Sequence, residues 1–206
     1  MLEQAVTAFA VVLALTQPVP QIVRVVRTRS VAGVSGSTTW LGFTVNAAWV
    51  AYGVARDLVP VAVLSTAYVV GYLVVGVLLV RGGNRKGIAT GAVAGAGLAA
   101  LTAVGGWVAL GTVLALAVAV QFLPQVIEAW TGDDLTGLAP GTYVVGGLDG
   151  IVWGGFGFVV SDGPLMLYGV IMFTVAVAVL VPRYRWAARQ SSPTISPDPD
   201  VEPVAG

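Results

Sequence analysis

The 206-residue sequence contains no cysteine and no histidine. That removes thiol nucleophiles, disulfides and the usual soft metal ligands, so no metal site is expected. Only one carboxylate falls deep in an apolar run, and no plausible nucleophile–base pair accompanies it. Neither an enzyme nor a cofactor is therefore expected. Charge is scarce as well: 10% of residues are charged, where a soluble domain has roughly a quarter. Acidic and basic residues number 10 each, which gives no reason to expect a nucleic-acid partner. The opening residues, Met1 to Gln4, hold no basic segment, so no cleaved signal peptide is expected.

What the chain has instead is apolar length. It is 57% hydrophobic with a mean hydropathy of +0.89, and its uncharged runs reach the ~20 residues needed to cross hydrocarbon. They predict spans at Gln4–Val23 (running on through a bend at Pro20), Ser30–Ala55 and Leu58–Val80. Gly87–Ile127 is uncharged over 41 residues, twice a span, and is expected to fold back at Gly105-Gly106. This gives a fourth span at Gly87–Val104 and a fifth at Trp107–Trp130, followed by Leu138–Val160 and Gly163–Val181. The tail from Gln190 is rich in Ser, Pro and Asp without apolar period and reads as disordered.

A costly signature occurs twice, Gln17-Pro-Val-Pro-Gln21 and Gln121-Phe-Leu-Pro-Gln125, 104 residues apart. Proline inside a helix removes a backbone hydrogen bond and bends it, and hydrocarbon cannot satisfy the neighbouring amide. In the same register Trp49 falls on Trp153, Gly53 on Gly157 and Pro60 on Pro164. Matches of rare residues in one register indicate an internal duplication. The fourth span has no counterpart; its glycines and alanines suit close helix packing, and it reads as a linker.

The predicted fold is therefore all-α and integral to the lipid bilayer, with seven transmembrane helices arranged 3+1+3. Residues 1–81 form the first three-helix bundle, 82–106 the linker helix, 107–189 the second bundle and 190–206 the tail. The odd linker makes the two bundles parallel across the membrane. Nine of ten basic residues (Arg24, Arg27, Arg29, Arg81, Arg85, Lys86, Arg183, Arg185 and Arg189) then share one side, and only Arg56 lies opposite. The positive-inside rule puts the N-terminus outside and the C-terminus in the cytoplasm, with the plasma membrane as the expected location.

The two proline–glutamine motifs in a 3+1+3 plan resemble the PQ-loop superfamily, and its SWEET branch of sugar facilitators most closely. The first repeat carries Pro18-Val-Pro-Gln21, Arg27-Thr-Arg-Ser30 and Asn46-Ala-Ala-Trp49-Val-Ala-Tyr52-Gly53; the second keeps Pro124-Gln125, Trp153 and Gly157 but has Phe156 for the tyrosine. The resemblance implies a transporter of small polar solutes, sugars foremost, working by alternating access. Pro20, Gln21, Pro124 and Gln125 would form its hinges, the alternative being static kinks. Trp49 and Trp153 would be the pocket tryptophans, and Tyr52, Arg56 and Asp57 would lie near the outer gate. SWEETs usually place an asparagine on the third helix of each bundle; here those positions are Ser65 and Gly169.

The residues themselves add to this. Asn46 and Asp149 lie one helical turn before Trp49 and Trp153, so each shares its tryptophan's face. An ionisable residue inside a span is costly and a functional candidate by default, so Asp149 is a candidate to bind solute or to couple a proton to its movement. Two tryptophan rings facing each other would make a stacking platform; core packing is the alternative. Arg56, Asp57 and Asp162 would close an outer gate by ion pairing, or else form a solvated turn. Two other functions stay open. One is proton-coupled export of amino acids such as cystine, because Leu148-Asp149-Gly-Ile-Val-Trp-Gly-Gly155 loosely resembles the motif of those PQ-loop carriers. The other is a non-transporting seven-helix receptor or adaptor; a retinal protein is disfavoured because the seventh span has no lysine. A homo-oligomer is compatible with the sequence.

Overall fold

The computed structural model describes residues 34–190 and the single positions Gln4, Ala5, Ala8, Val12 and Arg27, each of these five helical and exposed. The rest of the expected first span, with Pro20 and Gln21, lies outside the described residues, as do Arg24, Arg29 and the tail past Gln190. Residues 34–190 form five helical segments: α1 Gly36–Ala55, α2 Val59–Arg81, α3 Ile88–Thr131, α4 Pro140–Val159 and α5 Gly163–Gln190. The described residues contain no strand. Helices α2, α3, α4 and α5 are each long and apolar enough to cross a membrane. The 20-residue α1 is not among them; Thr38, Thr39, Thr44 and Asn46 make it more polar.

Local chemistry sets the helix starts. The Ser35 hydroxyl caps α1 by accepting from the Thr38 N–H at 3.3 Å. Pro60, Pro140 and Pro164 fall in the first turns of α2, α4 and α5, where a missing N–H costs nothing. α5 runs nine residues past the expected Val181, through Pro182 to Gln190. Contacts from Arg183 and Trp186 to the α3–α4 loop hold that extension in place: the Arg183 Nε–H donates to the Leu138 carbonyl at 3.2 Å and the Trp186 indole to the Asp133 carbonyl at 2.9 Å.

The 44-residue α3 is broken at Gly106, where φ is 74° and ψ is −176°, a region open essentially to glycine alone. Before the break it packs along α1, with Gly91 against Trp40 and Gly95 against Thr44. After the break Gly111 touches Tyr52 and Pro164, and the Trp130 indole donates to the Ala178 carbonyl at 2.9 Å. α1 therefore leads up to the break and α5 leads away from it. The chain reverses at Gly106, where the sequence placed the fold-back.

The duplication is visible in the backbone. The α1–α2 and α4–α5 turns each contain a non-glycine residue with left-handed geometry, Asp57 (φ 57°) and Ser161 (φ 55°). The next residue donates its N–H back to a glycine carbonyl in both, Leu58 to Gly53 at 2.7 Å and Asp162 to Gly157 at 2.8 Å. α4 and α5 pack with their backbones in contact where Gly150 and Gly154 meet Gly169. Most of the sixth-span glycines thus make a packing face, although Gly155 faces open space.

One apolar core joins the two halves: Trp49, Tyr52, Leu58, Leu110, Leu114, Trp153, Phe156 and Leu165. A second, formed by Ala129, Leu135, Leu138, Tyr143 and Val179, closes the far end of the second half. Outward faces are apolar too, with Val93, Val104 and Phe158 mostly exposed, as lipid contact requires.

Candidate functional site

A cavity of about 110 Å³ lies between the two halves. α1 contributes Asn46 and Trp49, and α2 contributes Val61, Leu64, Ser65 and Tyr68. Trp153 enters from α4, and Leu165 and Tyr168 from α5. Four residues expected to bind solute, Asn46, Trp49, Ser65 and Trp153, are thus brought to one space by three different helices. The Asn46 side-chain nitrogen already donates to the Gly42 carbonyl at 2.9 Å within its own helix.

The two tryptophans keep repeat-related surroundings. Trp49 meets Tyr52 edge-on, with ring centroids 5.6 Å apart, and Trp153 meets Phe156 in the same way at 6.1 Å. Trp49 also meets Tyr168 edge-on at 6.1 Å across the halves. Such pairs stabilise by about 0.5–1.5 kcal/mol beyond burial, so the rings are held by neighbours while lining the cavity.

Asp149 stands behind this wall rather than in it. It is buried, and each of its oxygens faces a donor: the Trp153 indole N–H at 3.1 Å on Oδ1 and the Tyr168 hydroxyl at 2.8 Å on Oδ2. Asp149 therefore fixes two cavity-lining rings at once. Tyr168 and Tyr68 were not among the residues singled out from sequence. The signal was available, because a tyrosine in mid-span must find a partner for its hydroxyl, and Asp149 was the only carboxylate at that depth.

Beyond the cavity, where α1 stops and α5 starts, the two halves meet in a buried polar contact. The Tyr52 hydroxyl lies 2.8 and 2.7 Å from the two oxygens of Asp162, and both residues are almost fully buried. The Leu165 N–H donates to Asp162 Oδ1 at 3.0 Å, and Arg56 Nε lies 3.6 Å from Oδ2. Three of the four expected gate residues meet here. Asp57 does not; it sits exposed in the turn. At repeat register Asp162 corresponds to Leu58, whose side chain makes no capping bond, so this polar contact exists in one repeat only.

α3 stays helical through Pro124. With its amide turned to face acceptors, Gln125 donates to the Gln121 and Phe122 carbonyls at 3.2 and 3.1 Å. The polar cost of this glutamine is met within its own helix. At the opposite end from the Tyr52–Asp162 contact, the loop after α3 is tied down by Arg183, whose guanidinium lies 4.8 Å above the Trp186 ring. Asp134 in that loop is held below the usual carboxylate range by the backbone N–H of Thr136 and by its hydroxyl. Arg81, Arg85, Lys86, Arg183, Arg185 and Arg189 all fall at this end, away from Arg56.

Among the described residues no cluster of three or more carboxylates or other metal-binding side chains occurs. The PQ loop repeat family model matches residues 2–62, which span the first motif, α1 and the start of α2. No curated protein and no solved structure matches the chain significantly. The chain is similar to PQ-loop proteins over residues 2–62, and four of its helices are long and apolar enough to cross a membrane.

Proposed function

We propose that the protein is a carrier that moves small polar solutes across the plasma membrane by alternating access, without altering them chemically. The observation that carries this reading is the pairing of a cavity between the two halves with a buried polar contact that joins the halves beyond one end of it. A carrier needs both, because one end must close while the other opens. On this reading the Tyr52–Asp162 end is the closed one. The full architecture on this reading is seven spans, with residues 1–81 and 107–189 as parallel three-helix bundles and 82–106 as the linker. Arg56 then lies on the outer side and the basic cluster in the cytoplasm. Pro20 and Pro124 act as hinges.

The SWEET-like motifs support sugars as the substrate, while Ser65 and Gly169, where an asparagine is usual, speak against tight sugar binding. Proton coupling through Asp149 is a second reading, favoured by its burial and its bonds to two cavity-lining side chains. Purified protein in liposomes, given a solute panel with and without a pH gradient, tests both. Flux of no solute, against a leak-free control, overturns the carrier reading in favour of a receptor or adaptor. Flux indifferent to the gradient overturns coupling, and Asp149→Asn should abolish acceleration by the gradient but not exchange if coupling holds.

A further inference from the structure

We propose that the cavity between the halves binds a small organic cation, caged by aromatic rings in front of the buried Asp149 carboxyl. The inference rests on the same cavity as the carrier reading and narrows its substrate.

Four of the lining side chains are aromatic: Trp49 and Tyr68 from the first half, Trp153 and Tyr168 from the second. Ring faces grouped around a small space are the surroundings in which ammonium groups bind by cation–π attraction. Behind two of these rings stands a buried carboxyl, with each oxygen facing a donor, an arrangement that suits an ionised carboxylate. Indole can only donate through its N–H. Donating that hydrogen to an anion pushes electron density onto the ring, which strengthens its hold on a cation.

No lysine or arginine of the described residues neutralises this charge from within a span. Arg56 is engaged by Asp162, Arg27 is exposed, and Arg81, Arg85, Lys86, Arg183, Arg185 and Arg189 fall outside the cavity lining. A buried charge without a counter-ion is costly, so an entering cation would gain what the protein itself does not supply.

The same surroundings suit a sugar poorly. The Asn46 amide nitrogen is committed to Gly42 and the Tyr168 hydroxyl to Asp149. That leaves few groups for a ring of hydroxyls, and each hydroxyl buried without a partner is penalised. The volume of about 110 Å³ also falls below the roughly 300–1,000 Å³ of pockets for drug-sized ligands. A compact ammonium compound is the better fit.

Choline and its uncharged isostere 3,3-dimethyl-1-butanol differ in little but the charge, and so serve as the probes, with glucose as the sugar. Binding to purified protein is read by titration calorimetry and tryptophan fluorescence, independently of flux. Choline should bind at least tenfold more tightly than the isostere. Asp149→Asn should erase that ratio, and so, in part, should Trp153→Phe, which keeps a ring but loses the N–H. Equal binding of choline and isostere, binding of glucose alone, or a charge preference intact in both folded variants would each overturn the inference. If choline binds with the stated preference yet no solute crosses liposomes, the cation site stands and the carrier reading falls. If glucose is carried and choline is neither bound nor carried, the carrier reading stands and the cation site falls.

Discussion

Tyr52→Phe tests the Tyr52–Asp162 contact most directly. The substitution removes one hydroxyl, keeps the ring that packs against Trp49, and leaves the core volume nearly unchanged. What is lost is a hydrogen bond to a carboxylate in a site where Tyr52 and Asp162 are 0% and 2% exposed. Hydrogen bonds to charged groups contribute about 1.5–3 kcal/mol. Asp162 retains the Leu165 N–H and the looser Arg56 contact, so the lower half of that range is the better expectation, about 2 kcal/mol. If the bond forms only when this end is closed, its loss shifts the open–closed ratio by roughly 30-fold at 1.4 kcal/mol per factor of ten. The chain has no cysteine, so Ser65→Cys places a single thiol in the cavity. Membrane-impermeant reagent applied on the Arg56 side should label that thiol at least tenfold faster with Tyr52→Phe than without it. Labelling that is equally slow in both would mean that the contact does not gate the cavity.

Trp49→Ala and Trp153→Ala should each abolish flux in protein that still purifies folded; normal flux would reduce both rings to packing. Pro124→Ala should restore a backbone hydrogen bond, slow transport and leave thermal stability unchanged or higher, and a wild-type rate would make that bend static. A cysteine introduced near Gly105 should react from outside the cell and one near Asn84 only after permeabilisation, while the reverse pattern would invert the proposed orientation.

The all-helical character and the breaks between the described helices were legible because membrane spans are written in runs and breakers. Lack of charge from Gly87 to Ile127 demanded a reversal, and Gly105-Gly106 offered the only place for it. The register of the duplication fixed both turns, since Pro60 and Pro164 mark equivalent helix starts. The site was legible in part. Asn46, Trp49, Ser65 and Trp153 could be named from helical spacing and resemblance, because pocket residues on a helix recur at the interval of a turn. Trp153 could be tied to Asp149 by helical spacing, but Tyr168 could not be named so readily, because it is 19 residues away on another helix and spacing within a helix says nothing of contacts between helices. The Tyr52–Asp162 bond spans 110 residues and was reached only as a shared rim. Asp57 was grouped with it by proximity in sequence, and its left-handed backbone turns it out of the contact.

The reversal itself yields a sharp prediction, because two glycines close together in sequence should respond in opposite directions. Gly106 has φ 74° and ψ −176°, and nothing lies within 4 Å of a Cβ added there. Any cost of Gly106→Ala is therefore conformational rather than steric crowding from neighbours. Holding a non-glycine residue in a region so sparsely populated costs on the order of 1–3 kcal/mol. Gly97 sits in the first half of α3 with no positive φ and equally open space. There alanine should gain about 0.5–1 kcal/mol from helix propensity. Melting temperature in a single detergent should therefore fall with Gly106→Ala and hold or rise with Gly97→Ala. The difference between the two variants is the readout, since both change one hydrogen to a methyl in the same helix. If Gly106→Ala melts as high as Gly97→Ala, the chain does not need glycine to turn there, and the reversal must be imposed by packing of α3 against α1 and α5 instead.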